Sequence, residues 1–273
     1  MEVINVRKIK KPLMYLFLIV ASFVSIFPFI WMMISSTNKS VEVTRGSLTL
    51  GSNLLVNYRN LVSNTNFWQV FGNSAFVAII TTVLGIIASS LAGYGFELYR
   101  SKSRDRVFSI ILMSMMVPFA ALMIPLYRLI SQMGLINNYL AIILPGISTA
   151  FLIFFFRQNS KMFPKEIIEA ARIDGLGEVR IFFSIYMPVM KSAYSAAGII
   201  TFMSTWNNFL WPLIVLQSPN KMTLPILISS LGSAYTPDFG VIMLSIVIST
   251  LPTGVLFFLM QKNFVQGMLG SVK

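Results

Sequence analysis

Six stretches of this chain contain no Asp, Glu, Lys or Arg and are each long enough to cross a bilayer: 12–38, 60–96, 107–127, 129–156, 192–220 and 239–261. A hydrocarbon core of about 30 Å takes roughly 20 helical residues. Lipid offers no hydrogen bonds, so a spanning backbone must pair its own N–H and C=O groups, which leaves helices or a closed barrel. No succession of ten-residue alternating blocks occurs, so the barrel is set aside. The windows predict an all-α integral membrane protein with six transmembrane helices, at about 13–35, 69–97, 107–129, 140–157, 189–214 and 239–261. Composition agrees: 56% of residues are hydrophobic and 11% charged, against about 25% charged in an average soluble domain.

Positive charge then orients the chain. With the N-terminus inside, the inner segments hold Arg7, Lys8, Lys10 and Lys11, then Arg100, Lys102, Arg104 and Arg106. The next inner segment holds Arg157, Lys161, Lys165, Arg172, Arg180 and Lys191, and the tail holds Lys262 and Lys273. That places sixteen of the 21 Lys and Arg inside, and the expectation is a bacterial or archaeal cytoplasmic-membrane protein with both termini cytoplasmic. The net charge of +12 is mostly this topology signal, and no basic run suggests nucleic acid. The first apolar run continues to about Ile34 with no small-x-small cleavage site, so it reads as a retained helix rather than a signal peptide.

Between the spans, residues 36–66 form one sizeable outer segment rich in Ser, Asn and Thr, and 158–188 one long inner segment. The expected organisation is an N-terminal part (1–66), a transmembrane core (67–261) and a short cytoplasmic tail (262–273). No internal repeat is evident. Pro28, Pro118, Pro125, Pro145, Pro212 and Pro252 fall inside spans, where each frees a backbone carbonyl that a neighbour must satisfy. They can be hinges around a pathway or ordinary kinks.

The residue types that are missing narrow the function. There is no histidine and no cysteine, which removes His-based relays, metal sites and triads, and thiol chemistry. Glu97 and Asp238 fall at predicted helix ends, and no charge lies deep in a span, unlike carriers coupled to ions or protons. No G-x-x-x-x-G-K-[ST] phosphate loop occurs. A pump of this kind would take its energy, with ATP and Mg, from another subunit. The chain itself is expected to be no enzyme and to hold no cofactor or metal.

The inner segment contains EAARIDGLGEVRIFFSIYMP, residues 169–188. Pro164 suits the first turn of a helix to about residue 173, Asp174-Gly175 is a stop and turn, and a second short helix follows through about 178–186. Ile167, Ile168, Ala171 and Ile173 form an apolar face, and Ala170 and Ala171 are small enough for close approach. Such a helix can dock in a partner's groove or lie on lipid headgroups.

Glu169-Ala170-Ala171, Gly175, Ile185 and Met187-Pro188 resemble the EAA loop of binding-protein-dependent ABC importer permeases, with Met where the family usually has Leu. LAGYGFELYR (91–100), residues 116–145, STWNNFLWPLIVLQSPNKMTLP (204–225) and the tail 261–273 are similar to the carbohydrate branch, of the maltose-type second permease kind. In the fifth span Asn208 replaces the branch's usual acidic residue. The resemblance implies a type I importer fold in which Glu169, Ala170, Ala171, Asp174, Gly175, Ile185 and Pro188 belong to a cytoplasmic coupling helix and its return, between helices 4 and 5. It implies a second, different permease, two ATPase subunits and an extracytoplasmic solute-binding protein as partners, with Gln266, Gly267 and Lys273 reaching the ATPase interface. Trp206, Asn207 and Asn208 combine an aromatic face with amides near mid-span, which suits sugar hydroxyls or, equally, helix packing. The leading expectation is therefore the permease subunit of an ATP-driven sugar importer. The alternative is a self-sufficient carrier or channel, which ought to bury ionisable groups.

Overall fold

A computed structural model describes the backbone of residues 6–268 and the side chains of 11–262. The described residues contain helices and turns and no strand. In chain order these are α1 (Val6–Ser35), α2 (Ser40–Thr44), α3 (Leu54–Asn64), α4 (Phe67–Leu98), α5 (Lys102–Ser114), α6 (Phe119–Gln132), α7 (Leu140–Ile147) and α8 (Ala150–Ser160). There follow α9 (Lys165–Ile173), α10 (Glu178–Ile181), a π-helical turn (Phe182–Tyr186), α11 (Met187–Val189), α12 (Lys191–Trp206), α13 (Leu210–Val215), α14 (Leu224–Gly232) and α15 (Phe239–Met268).

Among the described residues, four stretches are long and apolar enough to cross a membrane: Lys11–Ser35, Phe67–Leu98, Leu140–Ser160 and Phe239–Lys262. A fifth is available if α5 and α6 count as one span, but they are bent by 103° at their junction. The single helix expected over 107–129 is thus two. Pro118 explains the break, because a helix running through it would lose the bond to the Ser114 carbonyl and drive the ring into it, and α5 ends at Ser114. Pro212 acts alike in the expected 189–214 helix. Its ring is incompatible with a helical Asn208 carbonyl, so α12 stops at Trp206 and α13 starts afresh at Leu210. Pro28, Pro125, Pro145 and Pro252 remain inside helices.

Contacts divide the chain into two units. The first gathers α1 to α3 with residues 228–250. The apolar residues of α1 are largely exposed, which suits a helix whose solvent is hydrocarbon. The segment after α1 is tied by buried Asn57, whose Nδ2 donates to the Ser36 and Asn38 carbonyls at 2.9 and 3.0 Å. Asp238 caps α15, its carboxylate accepting from the Gly240 and Val241 amides at 3.1 and 3.3 Å.

The second unit comprises 68–227 with α15 from Leu251. Here α4 and α8 approach closely at Gly93, where an added Cβ would stand 2.6 Å from Phe156 Cβ and 2.7 Å from the Arg157 amide. Without a hydrophobic drive between helices in lipid, such small-residue contacts supply the packing. Beside this contact, buried Arg157 bonds Glu97 at 3.4 Å, pairs with Asp105, and lies 4.0 Å from the centroid of the Phe108 ring. One charge counted as topology signal is therefore also a tie between α4, α5 and α8. The Pro145 carbonyl debt is met in this unit too: Ala141, four residues earlier, accepts the Trp211 indole N–H at 2.9 Å.

Candidate functional site

Two features of the second unit can carry function: the charged loop 164–188 and a cavity among the apolar helices. In the loop, Pro164 precedes the first residue of α9, where its missing N–H costs nothing. Glu166 in the first turn and Arg172 in the last complement the helix dipole. Gly175 ends the helix with φ +81°, a left-handed conformation that glycine adopts without strain. Its amide donates to the Arg172 carbonyl and that of Leu176 to the Ala171 carbonyl, both at 3.0 Å, which together form a Schellman stop.

Ile168 and Ala171, three residues apart, point inward on a cluster with Tyr94, Phe163, Ile181, Phe182 and Tyr186. Tyr94 lies edge-on to Tyr186 and Phe182, with centroids at 4.8 and 5.2 Å. Ser160 donates to the Phe156 carbonyl at 2.7 Å, so the 2.6 Å contact between Ser160 and Tyr186 is donated by the tyrosine. The expected apolar face is thereby split. Ile168 and Ala171 face the core, while Ile173 is 86% exposed and Ile167 is exposed as well. Of the alanine pair only Ala170 lies outward, in line with Glu166, Glu169 and Ile173; Asp174 and Gly175 are exposed beside them. Ile185 is half-buried against the cluster and Pro188 is exposed on the return arm.

A polar staple holds the loop to the end of α4. Arg172 Nε donates to Glu178 Oε1 at 2.7 Å and Nη2 to the Tyr99 hydroxyl at 3.3 Å, with the guanidinium 5.6 Å from the Tyr99 ring centroid. Tyr94 donates to Glu178 Oε2 at 3.4 Å. The bond from Arg172, then that from Tyr99, holds the Glu178 carboxyl below its usual range, and the same Glu178 contact holds Arg172 in its charged form. Burial and then the Glu178 carboxylate push Tyr99 up. Neither Arg172 nor Glu178 stands out in the sequence as more than a charge near a turn, because their pairing depends on the Gly175 reversal.

The cavity, of about 310 Å³, lies among α4, α6, α7, α8, α12 and α13. Asn208 lines it, together with Thr81, Thr201, Phe119 and Trp211. Trp206 does not line it. This side chain is buried, stacked on Phe202 with centroids 5.5 Å apart and edge-on to Phe71 at 5.6 Å. Asn207 is exposed and donates to the Met203 carbonyl at 2.9 Å. Of the three residues expected to act together, the structure brings Asn208 alone to the cavity, and Trp211 supplies the aromatic wall. The signal was available in the sequence as a second tryptophan at 211 and as hydroxyls spaced through uncharged spans. Gln266 and Gly267 fall in the backbone of α15, but their side chains, and Lys273 altogether, lie outside the described residues.

Comparison with known proteins gives these features a setting. Residues 85–270 match the family described as binding-protein-dependent transport system inner membrane component. The chain is 52% identical over 267 residues to the lactose transport system permease protein LacG of Rhizobium radiobacter, covering 98% of each. It is 36% identical to the arabinooligosaccharides transport system permease protein AraQ of Halalkalibacterium halodurans, covering 92% of each. Its fold matches a chain of a bacterial ABC transporter involved in the import of the acidic polysaccharide alginate, with a TM-score of 0.84 over 95% of this chain and 98% of that one at 22% identity.

Proposed function

The chain belongs to the family of binding-protein-dependent transport system inner membrane components, and from that premise we propose that it conducts a sugar or oligosaccharide whose passage is driven through the loop 164–188. It is a permease subunit of an ABC importer, a multi-pass membrane protein and not an enzyme. The sugar assignment is supported by the names of the lactose and arabinooligosaccharide relatives. The proposal extends to six crossings of the cytoplasmic membrane with both termini inside, α5–α6 forming one bent crossing and α12–α13 one broken crossing. The core is 67–261. A second, different permease, two ATPase subunits and an extracytoplasmic binding protein complete the assembly. ATP and Mg sit in the ATPase subunits, and the tail residues Gln266, Gly267 and Lys273 meet them.

One observation carries the coupling role. The helix α9 offers Glu166, Glu169, Ala170 and Ile173 outward, while its inner face, its Schellman stop and the Arg172–Glu178–Tyr99 staple fix it to α4. A rigid helix with an outward isoleucine transmits displacement where a mobile loop would absorb it. ATP closing the ATPase pair draws such loops together and turns the helices outward; the binding protein releases sugar, and hydrolysis resets the assembly. Burying an isoleucine is worth about 1.5–3 kcal/mol, so Ile173→Asp weakens docking roughly ten- to hundredfold. In proteoliposomes holding the complete complex, Ile173→Asp and Glu169→Lys should leave ATP hydrolysis largely intact and abolish most sugar uptake. Wild-type uptake in both variants, or uptake by this chain alone without ATP, refutes the reading.

A further inference from the structure

We propose that the exposed face of α5 binds one anionic phospholipid of the inner leaflet, with its phosphate on Lys102 and Arg106 and an acyl chain along Ile110 and Met113. The inference goes beyond solute passage and rests on the reading above only for the inward placement of the link between α4 and α5. Lys102, Asp105, Arg106, Ser109, Ile110 and Met113 line one open groove of about 700 Å³. At about 100° per residue, Lys102, Arg106, Ser109, Ile110 and Met113 fall within roughly 100° of arc, so they form a single stripe. The stripe changes character along its length. Its cations stand at the cytoplasmic end. Ser109, whose hydroxyl donates to the Asp105 carbonyl at 2.9 Å, marks the boundary, and Ile110 and Met113 follow at 62% and 58% exposure.

The neighbouring charges decide which cations are available. Arg100 pairs with Glu97 at 3.9 Å and with Asp105 at 3.6 Å. Arg104 donates to the Tyr99 carbonyl and lies over the Tyr99 ring, 5.6 Å from its centroid. Lys102 and Arg106 are exposed, and among the described residues neither has a hydrogen bond or ion pair. Asp105 does not cancel them, because one carboxylate oxygen is taken by Arg157 and the other by Arg100. A free phosphate would use the cationic end alone and leave the apolar end without a role. A phospholipid uses both. From Lys102 to Met113 is about 16 Å along the helix axis, close to the roughly 15 Å depth of one leaflet's hydrocarbon. The long stems of Lys102 and Arg106 carry their charges to headgroup level. Two such charges should favour an anionic over a zwitterionic headgroup about five- to thirtyfold.

The test uses the full complex in liposomes doped with phosphatidylglycerol or phosphatidylcholine carrying a photoactivatable acyl chain. Peptide mapping then measures capture at residues 107–113. Wild type should capture phosphatidylglycerol about five- to thirtyfold better, and Lys102→Gln/Arg106→Gln should bring the two lipids to parity. Arg104→Gln, which removes a charge from the same turn but off the stripe, should keep the preference. In phosphatidylcholine alone the double variant should melt with the wild type. Four results overturn the site and leave the importer reading standing: equal capture of both lipids by the wild type, parity in Arg104→Gln as well, a lowered melting temperature in the double variant, or no capture of either lipid, which would mean that protein covers the face. Loss of the preference in inorganic phosphate but not in chloride of equal ionic strength overturns the lipid assignment in favour of a free anion. The inward placement is checked separately. The chain has no cysteine, so Ser103→Cys carries its only thiol, and an impermeant maleimide should label it only after cells are opened. Labelling of intact cells refutes that placement itself.

Discussion

Arg157 offers the sharpest test of how this fold is held together. Its side chain is 6% exposed and that of Glu97 5%, with Nε to Oε2 at 3.4 Å. The two mutants are not equivalent. In Arg157→Met the Glu97 carboxylate keeps only Arg100, which is 54% exposed and 3.9 Å away. In Glu97→Gln the guanidinium keeps Asp105 and the Phe108 ring at 4.0 Å. Orphaning one member of a buried pair costs about 3–5 kcal/mol. Arg157→Met should reach that range, whereas Glu97→Gln should cost about 1–3 kcal/mol, because the charge left behind is still compensated on two sides. The double variant Glu97→Gln/Arg157→Met leaves no buried charge and should recover part of the loss, so the two effects should be non-additive by about 1–3 kcal/mol. Chaotrope titration of the assembled complex in detergent, read by tryptophan fluorescence, gives the four midpoints of the cycle. Additive losses, or a loss below about 1 kcal/mol for Arg157→Met, would show that Arg157 is a solvated topology charge and that the pair does not bind α4 to α8.

Two further perturbations address the packing and the loop. Gly93→Ala puts a Cβ 2.6 Å from Phe156 Cβ and 2.7 Å from backbone, while Gly95 on the same helix has nothing within 4 Å. Gly93→Ala should therefore destabilise by about 1–3 kcal/mol or more and Gly95→Ala should be neutral or stabilising by up to about 1 kcal/mol; equal melting temperatures would refute the close approach of α4 and α8. The Glu178 carboxyl is held below its unfolded range, so the staple is fully present above the ordinary carboxylate pKa and weakens as pH falls through the lowered value. Hydrogen exchange of amides 174–181, corrected for intrinsic rate, should stay protected from neutral pH to about pH 5 and loosen only below it. Glu178→Gln should be loose throughout, and a protected Gln variant would count against the staple.

Much of the loop could be read from local chemistry. The Gly175 stop follows from a glycine after a helical run, and it appears as a Schellman motif with φ +81°. The helix 165–173 and its return at 178–189 stand close to where the sequence puts them. Which of its residues face outward was not readable. At about 100° per residue, positions 167, 168 and 171 share one stripe and 173 lies on the far side, so what the sequence left open was which edge of that stripe is covered, and the Tyr94–Tyr186 cluster takes Ile168 and Ala171 and leaves Ile167 exposed. The cavity was legible only through Asn208. Choosing Trp211 over Trp206 required knowing that Pro145 leaves the Ala141 carbonyl free for an indole across the bundle.

By itself the sequence determined that this chain lives in lipid, carries most of its charge near helix ends and on the loop 158–188, and contains no histidine or cysteine. Those properties are sums over neighbouring residues, and hydropathy, proline and glycine act on neighbours. The tertiary structure alone decided the 103° bend between α5 and α6, the burial of Arg157 against Glu97, and the meeting of Asn208 and Trp211 at one cavity. Along long helices such as α4 and α15, which are apolar all round, periodicity no longer marks an inner face, so which side chains meet is settled by shape, by small residues such as Gly93, and by the few polar groups that must find partners.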